Sequence, residues 1–296
     1  MTVEQAGSLD APWRCPVCRT PLALRTAERR WACSSGHSFD VAREGYVNLL
    51  VAGQRRGRSP GDSAEMVQAR RRFLATGAFD RLTEAVATLV EEGSPSLVVD
   101  VGCGEGRHTR GLRATGVLGV DVAKPAVALA ARAHRRGSYA VASAADLPLG
   151  ASAVDAAVVV FGPVFPGELA RVVRTGGAVV VAHPGPAHLA ALRSLVYADP
   201  HPHEDKAPLR HGSAWFEEVA STSVTFTVEV SDPDELADLF TMTPYRWHAP
   251  VDVRERLAAA AREGFRTVAD VRLTTSRRTP TAVDPPPAPA SGTPDC

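Results

Sequence analysis

Cys15, Cys18, Cys33 and His37 are separated by gaps of two, fourteen and three residues, the spacing of two metal knuckles. Two thiolates on one tight turn, with a thiolate and an imidazole on a second, close a tetrahedron around Zn2+ and leave no position for a reacting ligand. The expected metal is therefore a structural staple. A second set of chemically capable residues follows Leu97-Val98-Val99: Asp100, Gly102, Cys103, Gly104, Glu105 and Gly106. Glycines at such a turn let the backbone approach a ligand closely before a helix starts. A dinucleotide pyrophosphate wants the spacing G-x-G-x-x-G, whereas here it is G-x-G-x-G, and Asp100 and Glu105 would repel phosphate. The acids suit a ligand with cationic sulfonium and amino groups. Asp121, 21 residues past Asp100, is placed to accept from ribose hydroxyls, and Asp146 from an adenine amino group. S-adenosylmethionine fits this set better than NAD. Cys103 is expected to pack.

The elements that must position these residues follow from apolar periodicity. Short apolar runs at 97–101, 117–121, 139–142, 154–161 and 177–182 alternate with helix-length segments, which implies a mostly parallel, doubly wound sheet. Alternation near Val224–Val230 and Thr267–Thr274 suggests further strands at an antiparallel edge. Ahead of the sheet, Asp62 or Ser63 caps a helix to about Thr76, and a second helix spans about Asp80 to Glu92. Residues 13–45 read as short strands around the knuckles, with Trp13 and Trp31 covering a core too small to hold without metal. Gln54 to Gly61 is basic and rich in breakers, a loop.

The expected fold class is α/β, a Rossmann-like class I S-adenosylmethionine-dependent methyltransferase domain behind an N-terminal zinc-binding domain. The expected boundaries are 1–50 for the zinc domain, 51–95 for linker and helical segment, 96–275 for the methyltransferase domain and 276–296 for a disordered, proline-rich tail.

With 296 residues, 45% of them hydrophobic, the chain can bury one full core plus a small satellite. The first residues lack the basic start and apolar run of a signal peptide, and no stretch is long and apolar enough for a membrane span. A cytoplasmic protein with reduced thiols and no membrane partner is expected. Net charge is zero, yet Arg14 to Arg72 holds twelve Arg against five acids, an excess of seven. Guanidinium forks in that density favour phosphate.

These residues resemble a known family, the RlmA-type 23S rRNA guanine-N1 methyltransferases, including the TlrB-like macrolide-resistance branch. The resemblance runs nearly to the tail. It rests on the knuckles leading into Phe39-Asp-Val-Ala-Arg-Glu-Gly-Tyr-Val-Asn-Leu49, on Gly61-Asp-Ser-Ala-Glu-Met66, on Ala69-Arg-Arg-Arg-Phe-Leu74, on Asp100 to Gly106 and on Pro184-Gly-Pro-Ala-His-Leu189. It implies a zinc domain that helps recognise an RNA hairpin and a Rossmann-like domain that methylates N1 of one guanine in 23S rRNA. Carried over by motif, zinc falls to Cys15, Cys18, Cys33 and His37. Cofactor contacts fall to Gly104 and Glu105, to Phe79 and to His188, beside Asp100, Gly102, Asp121 and Asp146 from the loop reading. Phe79 stands where the family commonly has Tyr, so the resemblance supports stacking there and no hydroxyl contact. The family divides between two neighbouring guanines, and overall likeness favours the position linked to tylosin and mycinamicin-type resistance. A homodimer is compatible with this pattern.

Guanine N1 carries a proton at neutral pH, so an acceptor is required. The sequence does not single one out among His183, His188, Glu168 and Asp155. Val160-Phe161-Gly162-Pro163 lacks the Asp/Asn-Pro-Pro-Tyr/Phe motif of enzymes that methylate exocyclic amino groups, which favours a ring nitrogen. Aromatic residues such as Phe161, Phe165, Tyr245 and Trp247 could hold an unstacked base, core packing being expected for the first two, and Met242 to Trp247 is expected to form a loop on the substrate side. Two other readings compete: a small-molecule methyltransferase of an antibiotic pathway, and a non-enzymatic zinc-stapled RNA-binding protein.

Overall fold

A computed structural model describes residues 11–51, 61–204, 209 and 214–280. Strands β1 (Ala23–Arg25), β2 (Arg30–Ala32) and β3 (Ser38–Asp40) form a small antiparallel meander in which Trp31 lies opposite Leu24 and Phe39. The chain then contributes β4 (Tyr46–Asn48), α1 (Ala64–Ala75), α2 (Asp80–Glu91), β5 (Leu97–Val101), β6 (Gly116–Asp121), α3 (Lys124–Ala133), β7 (Ser138–Val141) and β8 (Val154–Val160). It finishes with α4 (Pro166–Val172), β9 (Val173–Pro184), α5 (Ala190–Val196), β10 (Phe216–Val230), α6 (Pro233–Thr241), α7 (Val253–Arg262) and β11 (Phe265–Arg278). The eight-stranded sheet runs β10-β11-β9-β8-β5-β6-β7-β4, parallel except for β11, which pairs antiparallel with both β9 and β10.

Helix α1 starts where the cap predicts, with the Ser63 hydroxyl accepting from Met66 N at 3.2 Å. The parallel strands are buried on both faces and so read as unbroken apolar runs. On one face, Val98, Val158 and Val180 pack against Phe73, Leu82, Val86 and Leu192 from the helices. On the other, Val99, Leu118, Ala157 and Val181 meet Leu169 of α4 together with Trp13, Trp31 and Leu49. There the zinc module occupies the place that a covering helix takes in a doubly wound fold. This corrects the expectation that Trp13 and Trp31 cover a core of their own. Trp13 is 1% exposed because it lies against Leu149 of the large domain, and the Arg14 amide donates to the Pro148 carbonyl at 2.8 Å.

Two boundaries differ from the sequence reading. The segment counted with the zinc domain to residue 50 ends in β4, which pairs in parallel with β7, Tyr46 facing Tyr139, and closes one edge of the large sheet. At the other end, Ser276, Arg277 and Arg278, assigned to the tail, continue β11. Ser276 and Arg277 are paired on both sides, Arg278 pairs with Phe216 of β10, and Arg278 Nη1 donates to the Val173 carbonyl at 2.7 Å. Residues 281–296 and most of the linker before Gly61 lie outside the described residues. Among the described residues, no helix is long and apolar enough to cross a membrane.

The order of strands reverses between β6 and β8 on either side of β5. In open α/β sheets the crevice at the carboxyl ends of such strands is where ligands bind. The glycine loop, Asp121 and Phe161 all leave the sheet at that place.

Candidate cofactor and metal sites

The ligand atoms of Cys15, Cys18, Cys33 and His37 lie within 4.8 Å of one another. Cys18 and Cys33 sulfurs are 3.6 Å apart, and His37 Nδ1 is 3.5 Å from Cys33 Sγ. Zn–S bonds of about 2.3 Å in a tetrahedron require sulfurs ~3.8 Å apart, so the four residues fit Zn2+. The turns are held by backbone bonds, Arg19 N to Cys15 O at 2.9 Å and Gly36 N to Cys33 O at 3.2 Å. Both end in left-handed residues, Arg19 at φ 63° and Gly36 at φ 87°. A bond from the Thr20 hydroxyl pulls the Cys18 thiol down to about 5, whereas burial pushes Cys15 up. Cys18 and Cys33 raise the pKa of His37. Ligation needs a neutral imidazole, so zinc binding must expel any proton these thiolates draw to it.

Arg19 shows why a non-glycine residue stays in a left-handed turn. Its Nη1 and Nη2 donate to the two carboxylate oxygens of Asp146 at 2.5 and 2.8 Å. The first knuckle is thereby clamped to the loop that follows β7. Asp146, expected at an adenine amino group, carries this ion pair at the seam between zinc module and sheet. The sequence could not reveal this pairing, because its two members are 127 residues apart.

The remaining loop acids converge. Asp121 closes the turn by accepting from Gly104 N at 2.9 Å and from Ala123 N at 2.7 Å, one bond to each oxygen. Each oxygen keeps a lone pair for a further donor such as a ribose hydroxyl. Asp100 is 1% exposed and accepts from the Thr109 hydroxyl at 2.5 Å; burial pushes its pKa up to about 7. Burial also raises Glu105 and Asp121. Gly106, at φ 83°, lies so close to α3 that a Cβ would sit 2.9 Å from that of Ala130. Cys103 is buried in this packing, as expected. One cation serves the loop from α1: Arg70 pairs with Asp62 at 2.5 Å, reaches the Met242 carbonyl at 3.4 Å, and would lie 3.6 Å from a Cβ on Gly104. Sequence reasoning missed Arg70, although the Ala69-Arg-Arg-Arg-Phe73 run contained it.

Two buried carboxylates, Asp100 and Glu105, and the half-buried Asp121 outnumber the two arginines at the loop, Arg70 and Arg110, so the site favours a cation. Asp100, raised above the ordinary carboxylate range near 3.9, favours the unliganded fold fully at pH below about 4, and that contribution is lost as pH rises through about 7. A cationic cofactor needs the ionised form. Affinity for S-adenosylmethionine is therefore expected to fall as pH drops from about 8 to about 6, by at most ~10-fold per unit for each coupled proton. Calorimetry in buffers of different ionisation enthalpy should register proton release near pH 6 and none near pH 8. Affinity that stays flat over this range would mean the acids do not meet the cationic groups.

Beyond the loop, the carboxyl ends of β8 and β9 carry an aromatic row. His188 is buried, and its Nδ1 lies 3.0 Å from the Asp270 carbonyl. A carbonyl only accepts, so Nδ1 holds the proton and Nε2 is an acceptor. Burial lowers the His188 pKa to about 4, which keeps the ring neutral. Its neighbours are Phe161 at 5.3 Å, His203 at 6.2 Å and Phe79 at 6.4 Å between ring centroids. Phe79 is 3% exposed and makes edge contacts with Phe73, His188 and Phe226. Phe161 and Phe165 correct the expectation of core packing, being 42% and 40% exposed. Phe161 takes φ 53° directly after β8, which turns it out of the sheet. Two of the proton-acceptor candidates are engaged elsewhere. Glu168 is paired with Arg171 and accepts from Leu147 N, while Asp155, at the opposite end of β8, accepts from Ser96 N, Leu97 N and Arg174.

Residues 13–58 match the family profile described as RlmA, N-terminal, and residues 98–177 match one described as a methyltransferase domain. A 23S rRNA (guanine(748)-N(1))-methyltransferase of Streptomyces fradiae is 39% identical over 257 residues, spanning 83% of this chain and 89% of its own. A Micromonospora griseorubida protein, provisionally named a 23S rRNA guanine-N1 methyltransferase, is 38% identical over 88% of this chain and 95% of its own. The Bacillus subtilis protein YxjB, named in the same provisional way, is 27% identical over 81% of this chain and 88% of its own. Identity of this level across more than four fifths of both chains reflects common descent of the whole architecture, and the protein belongs to the RlmA-type 23S rRNA (guanine-N1)-methyltransferases.

Proposed function

We propose that this protein transfers a methyl group from S-adenosylmethionine to N1 of a single guanine in a hairpin of 23S rRNA, the guanine equivalent to position 748 named for the Streptomyces fradiae relative. The supporting observation is the near chain-length identity to that enzyme, in a chain that keeps the four zinc ligands and the acid-lined glycine loop. Bound S-adenosylmethionine supplies an electrophilic methyl on sulfur. The chain's own task is positioning, because holding nucleophile and methyl in line about 3 Å apart provides much of the acceleration. Asp121 and the loop amides orient the cofactor, and Arg70 steadies the loop from α1. A guanine within a stem-loop must leave its stack before N1 is reachable, and Phe161, turned outward beside neutral His188, offers a face for it. The Arg-rich front and the zinc module supply the complementary charge for the RNA backbone. A protein acting on ribosomal RNA in this way works in the cytoplasm.

The small-molecule alternative is less supported, since relatives 38–39% identical over most of this chain are named for methylation of 23S rRNA. Incubating 23S rRNA hairpin transcripts with labelled cofactor, followed by primer extension, should give one stop at the modified guanine and a nucleoside with the mass of N1-methylguanine. Label transfer without a stop, or no transfer to any transcript, would reject the proposal.

A further inference from the structure

The segment Met242 to Trp247 is positioned by the site and has no part in the chemistry derived so far. It leaves α6 into a 3-10 turn, Pro244–His248, and Arg70, which lies beside Gly104 of the glycine loop, reaches the Met242 carbonyl at 3.4 Å. Within the turn, neighbours point in opposite directions. Tyr245 is buried: its hydroxyl lies 2.9 Å from His203 Nε2, its ring stacks on His203 at 6.3 Å, and His203 continues the row to His188 and Phe161. Trp247 faces out and is 62% exposed, whereas Trp13 and Trp31 are buried and Trp215 is half-buried. The indole does not hang free. The Arg246 guanidinium stands 5.3 Å over its ring and is fixed in turn by Glu65 at 2.8 Å. Glu65, held below its ordinary pKa by Arg246, stays ionised and keeps that arginine in place. Beside the turn lies a cleft of about 250 Å³ lined by Glu65, Arg246, Arg254, Phe240, Pro250 and Val251. Its two cations, Arg246 and Arg254, exceed its one acid, Glu65.

A large aromatic surface held open by a pinned guanidinium, next to a net positive cleft, matches one nucleotide: a base on the ring and its phosphate among the arginines. We propose that Trp247 is a stacking platform for an unpaired nucleobase flanking the target guanine, with the adjoining phosphate between Arg246 and Arg254. The inference rests on the RNA-methylating function above and deepens it. The turn then works on two sides: Tyr245 braces the aromatic row that faces the target, and Trp247 keeps the neighbouring base from restacking over the vacated position.

The test uses the full zinc-loaded chain and a 23S rRNA hairpin that the wild type methylates. Base stacking on an aromatic ring is worth about 1–3 kcal/mol, so Trp247→Ala should raise the KM for the hairpin roughly 5- to 150-fold, with unchanged affinity for S-adenosylmethionine. Trp247→Phe, which keeps a smaller ring, should raise it less. Tryptophan emission should be quenched when the hairpin binds wild type, and Trp247→Phe should abolish that quench. An abasic nucleotide at one loop position should reproduce the Trp247→Ala defect and add nothing to it in combination. If the wild type methylates the hairpin and Trp247→Ala keeps its KM within twofold, or if the quench survives in Trp247→Phe, the platform is refuted while the function stands. If Trp247→Ala changes the oligomeric state and leaves hairpin affinity intact, the patch serves a second copy and the proposal is wrong. If the wild type methylates no hairpin, the functional reading fails first and carries this one with it.

Discussion

Replacing Cys33 with Ser is expected to lower the thermal stability of the entire chain, in one transition, and to lower cofactor affinity with it. From sequence alone, the same substitution would weaken RNA binding and spare the cofactor domain, since the zinc domain reads as separate. The structure connects the two in three ways. Trp13, Trp31 and Leu49 share one buried cluster with Val99, Leu118 and Val181 of the large sheet, β4 pairs with β7, and Arg19 on the first knuckle holds Asp146 after β7. Structural zinc contributes about 10–16 kcal/mol to folding in isolated finger peptides, so a site reduced to three good ligands is expected to lose ~5 kcal/mol. For a chain of this size that corresponds to a fall in Tm of about 8 °C. Calorimetry alongside measured zinc content checks it. Two separate transitions, with the larger one unmoved and cofactor affinity intact, would show that the module folds independently despite the shared core.

Asp121→Ala should nearly abolish cofactor binding while leaving most of the fold in place. This carboxylate has two duties at once: it fixes the glycine loop through Gly104 N and Ala123 N, and it offers the acceptor a ribose needs. Removing it leaves two amides without their acceptor, at about 1–3 kcal/mol for each one that stays buried, and takes away the ligand contact as well. A loss of at least ~100-fold in S-adenosylmethionine affinity follows. Asp121→Asn retains one acceptor oxygen and should recover part of it, which separates loop support from charge. Equal affinity in wild type and Asp121→Ala, measured by calorimetry on protein with an unchanged circular dichroism spectrum, would remove Asp121 from the site.

The elements that were legible in sequence are those set by local periodicity or by chemistry with a fixed spacing. Helix α1 begins at its Ser63 cap, and β5, β6 and β8 fall within one residue of their apolar runs because strands buried on both faces need continuous Val, Ile or Leu. The last two strands, β10 and β11, run longer than the apolar alternation that marks them. In β10, exposed polar residues such as Ser221 and Ser223 interrupt the pattern, and in β11 the buried Thr274, Thr275 and Ser276 do so, while the backbone ladder continues.

The sequence by itself determined the metal ligands, the glycine loop with Asp100, Glu105 and Asp121, and the order of strands and helices. Each of these depends on residues close together in the chain, where spacing dictates geometry. Only the tertiary structure decided that Asp146 answers to Arg19, that the zinc module covers one face of the large sheet, that Phe161 and Trp247 face outward while Tyr245 turns in, and that Arg70 lies beside Gly104 and reaches Met242. Those relations join residues tens to more than a hundred positions apart. Burial and ion pairing at such distances are fixed by how whole elements stack, and no local pattern of residue types records that.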